Sequence, residues 1–326
     1  MRILVLFSIC VTILLACTNQ ESTDTTLTKA PYNKLTDSIK QAPTDAALYY
    51  RRGVLLYQNE EYPLAQKDLH QAWTLAPGEE HALSLATLLA KKHSDSALVF
   101  LQTAMQKLPQ SVALQVSLAR GYQQKGDVQK ALAQCNNTLE KYPNSIDALL
   151  VKAELLQSMN QQSEALQTLE KAYTLAPFDA ELVHNLAFSY AQSKNSKVLA
   201  LSDSLIRSDI NAIHAEPYYF KGLYFVNTGN TAEALKQLDA AIQHDYYFLD
   251  AYMEKGQLYY NLKQYAEAAK TFQLATTVTP TFADAYYWLG KAKEALGNKQ
   301  EAKLDYQRAY GLDKSLVEAK QAADKL

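Results

Sequence analysis

Residues 249–280 read LDAYMEKGQLYYNLKQYAEAAKTFQLATTVTP. Over Leu249 to Leu262 the apolar side chains Leu249, Tyr252, Met253, Tyr259 and Tyr260 recur at i, i+3, i+4 and i+7, the spacing of one face of an α-helix. Tyr265, Ala268, Ala269, Phe272 and Ala275 repeat that pattern over Tyr265 to Thr277. The stretch therefore predicts two amphipathic helices joined by a short turn. Pro280 ends the second, because its ring forbids a further helical turn. Gly256, Ala268 and Ala275 are the small residues on the apolar faces. They let the two axes approach, where a large side chain would force them apart.

The pattern is not confined to this stretch. Pro77, Pro109, Pro143 and Pro177 are 32, 34 and 34 residues apart, and Pro280 lies 103 further on. Twelve residues before each sits Ala65, Ala97, Ala131, Ala165 and Ala268. Twenty-four before sits Gly53, Ala119, Ala153 and Gly256; in the second unit that register falls on Leu85 instead. Gly222, Ala234, Ala241 and Gly290, Ala302, Ala309 continue the phase without the proline. A fixed period of this length marks a repeat array in which each unit hides its apolar face on its neighbour.

With aromatics at positions 4, 11 and 24, small residues at 8, 20 and 27 and proline at 32, these units resemble the tetratricopeptide repeat. Tyr252, Gly256, Tyr259, Ala268, Phe272, Ala275 and Pro280 fill nearly every slot. The resemblance implies an all-α fold, a right-handed α-solenoid of about eight helix-turn-helix units over 46–316. The units are 46–79, 80–111, 112–145, 146–179, an irregular 180–214, 215–248, 249–282 and 283–316. A C-terminal capping helix is expected at 315–326, and a short covering helix at 31–41. Gly126, Gly229 and Gly297 fall at the end of first helices, where a left-handed residue is favoured. The second unit lacks two residues, expected in the turn around Lys91-Lys92-His93-Ser94. In the fifth, Leu199-Ala200 and Asp203 stand in the small and aromatic slots, so its second helix is expected to be shifted or longer. Cys135 occupies position 24, a packed one.

The N-terminus carries a different signal. Met1-Arg2 precedes an apolar run, Ile3 to Ala16, which is too short to span a bilayer as a helix. It ends Leu14-Leu15-Ala16-Cys17, which resembles the bacterial lipobox. That resemblance implies a signal peptide at 1–16, cleavage before Cys17 and acylation of its sulfur and new amine. Two or more buried chains at about 0.8 kcal/mol per methylene anchor a domain firmly. Within 17–45, residues 18–30, TNQESTDTTLTKA, are polar and rich in Thr and Ser and are expected to be a tether. Thr18 stands where an Asp would resemble an inner-membrane retention signal. The expected address is thus the cell envelope, lipid-anchored in the outer membrane and facing the periplasm.

Composition narrows the chemistry. The 326 residues carry 32 Lys+Arg and 34 Asp+Glu, a net charge of −2, which offers no electrostatic case for nucleic acid. Gly121-Tyr122-Gln123-Gln124-Lys125-Gly126-Asp127 has the glycine spacing of a phosphate loop but lacks its following Lys-Ser/Thr. His70, His81, His93, His184, His214 and His244 show no metal-ligand spacing. No catalytic residue, cofactor or metal is expected, and the chain does not read as an enzyme.

What remains is a surface. In the resembled family, positions 2, 5, 9, 12 and 13 line a groove made by the first helices. In the last three units these hold Tyr219, Val226, Asn227, Met253, Gln257, Tyr260, Asn261, Tyr287, Lys291 and Glu294. Tyrosines give contact area at low entropic cost and amides pair with extended backbone. The corresponding N-terminal positions, Tyr50, Tyr57, Arg120, Gln123, Gln124, Glu154 and Gln157, are more hydrophilic. The Lys/Asn pair with which some family members clamp a C-terminal carboxylate occurs in no unit. The expected partner is an envelope protein or peptide held for assembly of an envelope complex. An adaptor that recruits or regulates a cell-wall hydrolase or protease is the alternative, and self-association is a third use of the array.

Overall fold

Helices begin where a short polar side chain can take up free backbone N–H groups. Ser111, Ser145 and Asp179, each two residues after a proline, accept from the amides of Leu114, Ala148 and Leu182. The computed structural model describes residues 25–92, 94–209 and 214–326. The expected signal peptide at 1–16, the lipid acceptor Cys17 and the first part of the tether lie outside the described residues. Those residues are helical, with no strand among them, and form two compact units, one ending at Lys125 and one beginning at Gly126.

The first unit opens with a 3₁₀ turn at Thr25–Thr28 and α1 (Asn33–Gln41). Then follow α2 (Ala46–Gln58), α3 (Tyr62–Leu75), α4 (Glu79–Lys92), α5 (Ser94–Lys107) and α6 (Val112–Gln124). Each helix packs on the next, around a core that includes Leu56, Leu69, Leu85, Leu88 and Leu114. A buried ion pair ties α1 to the first hairpin. Arg52 on α2 donates Nε to Asp68 Oδ2 at 2.6 Å and Nη2 to Asp68 Oδ1 at 2.8 Å, and its Nη1 reaches Thr36 Oγ1 of α1 at 2.9 Å.

The second unit contains α7 (Val128–Lys141), α8 (Ile146–Ser158), α9 (Gln162–Leu175), α10 (Ala180–Gln192) and α11 (Lys197–Ser208). It continues with α12 (Glu216–Thr228), α13 (Thr231–His244), α14 (Leu249–Asn261), α15 (Tyr265–Val278), α16 (Ala283–Ala295), α17 (Lys299–Leu312) and α18 (Val317–Lys325). From α12 onward, consecutive helices stack in order. Close approach inside a hairpin depends on glycine: a Cβ on Gly290 would lie 2.8 Å from the Tyr306 ring, and one on Gly256 would meet Phe272 more closely still. At the end α18 buries Ala319 and Ala323 beside Tyr286 and Tyr306, covering the last hairpin.

Two repeats depart locally from the regular pattern. The shortening of the second repeat falls in its inter-helix turn as expected, one residue separating α4 from α5 against three in the hairpins α2–α3 and α6–α7. The difference from expectation is at the other end of the helix: Pro77 precedes α4 by two residues, whereas Pro109, Pro143 and Pro177 precede their helices by three. The bond from Ala82 N–H to Gly78 O, 3.0 Å, matches that from Gln115 N–H to Ser111 O at the start of α6. The helix therefore starts early, and buried Ala86, not Leu85, is the counterpart of Gly53. In the fifth repeat α11 is shifted without being longer. Its first turn is closed by i→i+3 bonds, Val198 N–H to Asn195 O and Leu199 N–H to Ser196 O, in place of the i→i+4 bond that opens α9. This tighter winding turns Val198 and Ser202 inward. Asp203 then faces Lys221, whose Nζ donates to it at 2.8 Å, and α10 packs on α12 as well as on α11.

Candidate functional site

The residues expected to line the groove occupy three first helices: Tyr219 and Asn227 on α12, Met253, Gln257, Tyr260 and Asn261 on α14, and Tyr287 and Lys291 on α16. Three of them meet. The Lys291 ammonium lies 5.4 Å from the Tyr260 ring centre, 5.5 Å from that of Tyr287 and 4.0 Å from that of Trp288. Ring quadrupoles hold a cation there. Trp288 stands edge-on to Tyr260 at 5.7 Å and stacks on Phe272 at 5.9 Å, so the outer rings rest on the core of the α14–α15 hairpin. Tyr265, at the start of α15, sits edge-on to Tyr260 at 5.2 Å. Tyr306 donates its hydroxyl to Glu294 at 2.6 Å behind Tyr287.

Sequence reasoning missed Trp288 and Tyr265. The signal for Trp288 was its place three residues before Lys291 on the same helix face; for Tyr265 it was proximity to Tyr260 across a tight turn. The surroundings explain the titration behaviour. Burial pushes the Tyr260 phenol up, and Tyr265, Glu294 and Tyr287 add to it. Burial also raises Tyr287, helped by Glu318 and Glu294. Both phenols are therefore neutral donors at physiological pH.

The other expected residues do not join this cluster. Tyr219 packs edge-on against Phe248 at 5.3 Å, and burial followed by the charges of Glu254 and Asp250 raises its phenol. Burial likewise raises the carboxyl of Glu254, with Asp250 adding. Asn227 donates its side-chain amide to Ala191 O at 3.1 Å, tying α12 to the end of α10. Met253 is half-buried between the Phe272 and Tyr252 packing groups. Gln257 is half-buried and Asn261 exposed.

Of the remaining chemistry-bearing residues, Cys135, His184 and His244 make packing contacts. Cys135 is buried on α7. His244 stacks on Tyr218 at 4.3 Å and His184 meets Phe220 at 4.9 Å. No group of His, Cys, Asp and Glu that could hold a metal ion occurs among the described residues. No helix among them is long and apolar enough to cross a membrane.

Stacked helical hairpins with small residues such as Gly256 and Gly290 where their axes approach define a helical-repeat protein. Models of the tetratricopeptide repeat match residues 88–155, residues 146–179 and 283–316, and residues 256–297, so the hairpins in those segments are repeats of that kind. A solved tetratricopeptide repeat protein from Parabacteroides merdae is 21% identical, with a TM-score of 0.61 over 75% of this chain and 97% of that one. PilW, a widely conserved type IV pilus biogenesis factor, is also 21% identical, with a TM-score of 0.52 over 65% of this chain and 97% of its own. At these identities the likeness is one of fold. No curated protein matches the chain.

Proposed function

We propose that the protein is a non-catalytic, membrane-tethered scaffold of the bacterial cell envelope that holds a protein or peptide partner on the first-helix face of its C-terminal repeats. The observation that carries this reading is the cluster of Tyr260, Tyr287 and Trp288 around Lys291 on the adjacent helices α14 and α16. Half-buried rings with neutral hydroxyls and one ammonium form the kind of amphipathic patch that dominates binding surfaces. The tether rests on Leu14-Leu15-Ala16-Cys17, with lipid on Cys17 placing the array at the outer membrane, facing the periplasm.

Pull-downs with Tyr260→Ala and Tyr287→Ala combined test the groove: the partners captured by the unchanged chain are expected to be lost while helical circular dichroism is retained. Equal capture by the double variant would refute the assignment. Metabolic labelling with a clickable palmitate tests the anchor. Label is expected on the unchanged chain and absent from Cys17→Ala, and equal labelling of both would remove it.

A further inference from the structure

The polar run expected as a tether is folded over its last part. Leu27 packs against the core of the first unit, and its carbonyl accepts a hydrogen bond from Thr36 Oγ1 at 2.8 Å. The Lys29 carbonyl accepts from the amides of Tyr32 and Asn33 at 2.9 and 3.0 Å, which starts α1, and Tyr32 is buried. Thr25 onward therefore belongs to the fold. Cys17 stands eight positions before Thr25, a link that reaches at most about 29 Å. The end that receives the link is basic. Residues 25–41 carry Lys29, Lys34 and Lys40 against Asp37, in a chain whose net charge is −2. Lys40 pairs with Asp37 at 3.0 Å, whereas Lys29 and Lys34 are exposed and make no ion pair among the described residues. Asp45, just beyond, is occupied in accepting from the Ala47 amide at the start of α2. Glu61 also acts on this end, where burial and then Glu61 raise the Tyr32 phenol. It is one carboxylate against two exposed ammonium groups.

We propose that this end of the first unit docks on the bilayer itself, with Lys29 and Lys34 against anionic phospholipid headgroups. The proposal deepens the anchor reading of Cys17 and rests on it. Each ammonium near an anionic membrane favours contact about five-fold, so the pair favours it about thirty-fold. That is too little to hold an untethered domain on a membrane. Joined to a lipid-bearing cysteine through so short a link, however, the two lysines act within one molecule, at a high effective concentration of headgroups. The attraction is confined to about 8 Å at physiological salt, so the docked end lies against the headgroups, well inside the reach of the link. An acidic protein is the other occupant that two lysines could serve. The nearness of the lipid attachment favours the bilayer.

The test uses the acyl-free chain from Cys17 onward, coupled through that thiol to a maleimide lipid in vesicles; Cys135 is buried and does not compete. A fluorophore on a clickable residue at exposed Gln41, the last residue of α1, reports its distance from an acceptor on the headgroups. Energy transfer is expected to be greater on vesicles containing phosphatidylglycerol than on pure phosphatidylcholine, and to lose that excess in molar salt. Lys29→Glu with Lys34→Glu should lower the ratio of docked to undocked chain by about thirty-fold or more, with helical circular dichroism unchanged. Equal transfer on the two kinds of vesicle, or undiminished transfer by the charge-reversed variant, would overturn the proposal. Equal transfer together with an envelope protein photo-crosslinked from position 34 would also overturn it, assigning the lysines to an acidic protein. Because the lipid is supplied chemically, failure of the anchor reading is read separately. Absence of palmitate on Cys17 would refute the native anchor, whereas a palmitoylated chain that fails on vesicles would refute the docking alone.

Discussion

Glu60, Asn160, Lys194 and Lys263 have φ of 63°, 60°, 57° and 59°, at the same place in their hairpins as Gly126, Gly229 and Gly297. The turn between the two helices demands a left-handed residue, and a side chain there costs about 1–2 kcal/mol relative to glycine. Lys194→Gly and Lys263→Gly are therefore each expected to raise stability by about 1 kcal/mol, part of the strain being offset by the entropy glycine loses on folding. Urea melts monitored by circular dichroism would measure it, and a loss of stability would show that the lysine side chains are held by more than the turn. Tyr252 is the opposite case. Its ring is buried and its hydroxyl has no hydrogen-bond partner among the described residues. Tyr252→Phe is expected to be neutral or to stabilise by about 1 kcal/mol, since an unsatisfied buried donor is removed. Burial, with Tyr246 and Asp245 adding, lifts this phenol from 10.0 to about 12. A raised pKa means that stability is intact below the unfolded value and is lost as pH climbs from about 10 towards 12. Alkaline unfolding should shift upward in Tyr252→Phe, and an unchanged profile would contradict the burial.

Hairpin geometry rests on a few contacts at element scale. Gly256→Ala would gain up to about 1 kcal/mol of helix propensity but must displace Phe272, at an overpacking cost of about 1–3 kcal/mol. Net destabilisation is expected, read as a lower melting temperature. Asp68→Ala leaves Arg52 buried without its carboxylate, which typically costs about 3–5 kcal/mol, and frees α1 through Thr36. Hydrogen exchange should show α1 and α2 opening together. Much of this scale was legible in the sequence, because the small residues recur in phase and mark where axes touch. What was not legible has a physical cause. The identity of the position-8 residue in the second repeat depended on where α4 begins, and Gly78 after Pro77 starts it one residue early. The phase of α11 depended on a 3₁₀ first turn, which a pattern counted at 3.6 residues per turn cannot register. Four left-handed turn residues were hidden because they are not glycine.

At the scale of the whole molecule, two compact units each present a first-helix face, and the faces differ in chemistry. In the second unit aromatic rings gather around Lys291; in the first, alanines floor a cleft rimmed by Lys91 and Arg120. Candidate residues were legible one helix at a time, as Tyr260, Tyr287 and Lys291 illustrate. Their convergence on Trp288 was not, because it depends on how α14 and α16 pack through Phe272. Asn227 shows the converse: a slot reading offers it to a partner, while the fold uses its amide on Ala191 O. The scaffold reading stands or falls with what touches the aromatic cluster in the cell envelope. A photo-crosslinking residue placed at Lys291, compared with one at exposed Gln273 on the second helix α15, tests this most directly. One dominant envelope protein crosslinked from position 291 and absent from position 273 is the expected result; identical products from both positions, or products from 273 alone, would contradict it.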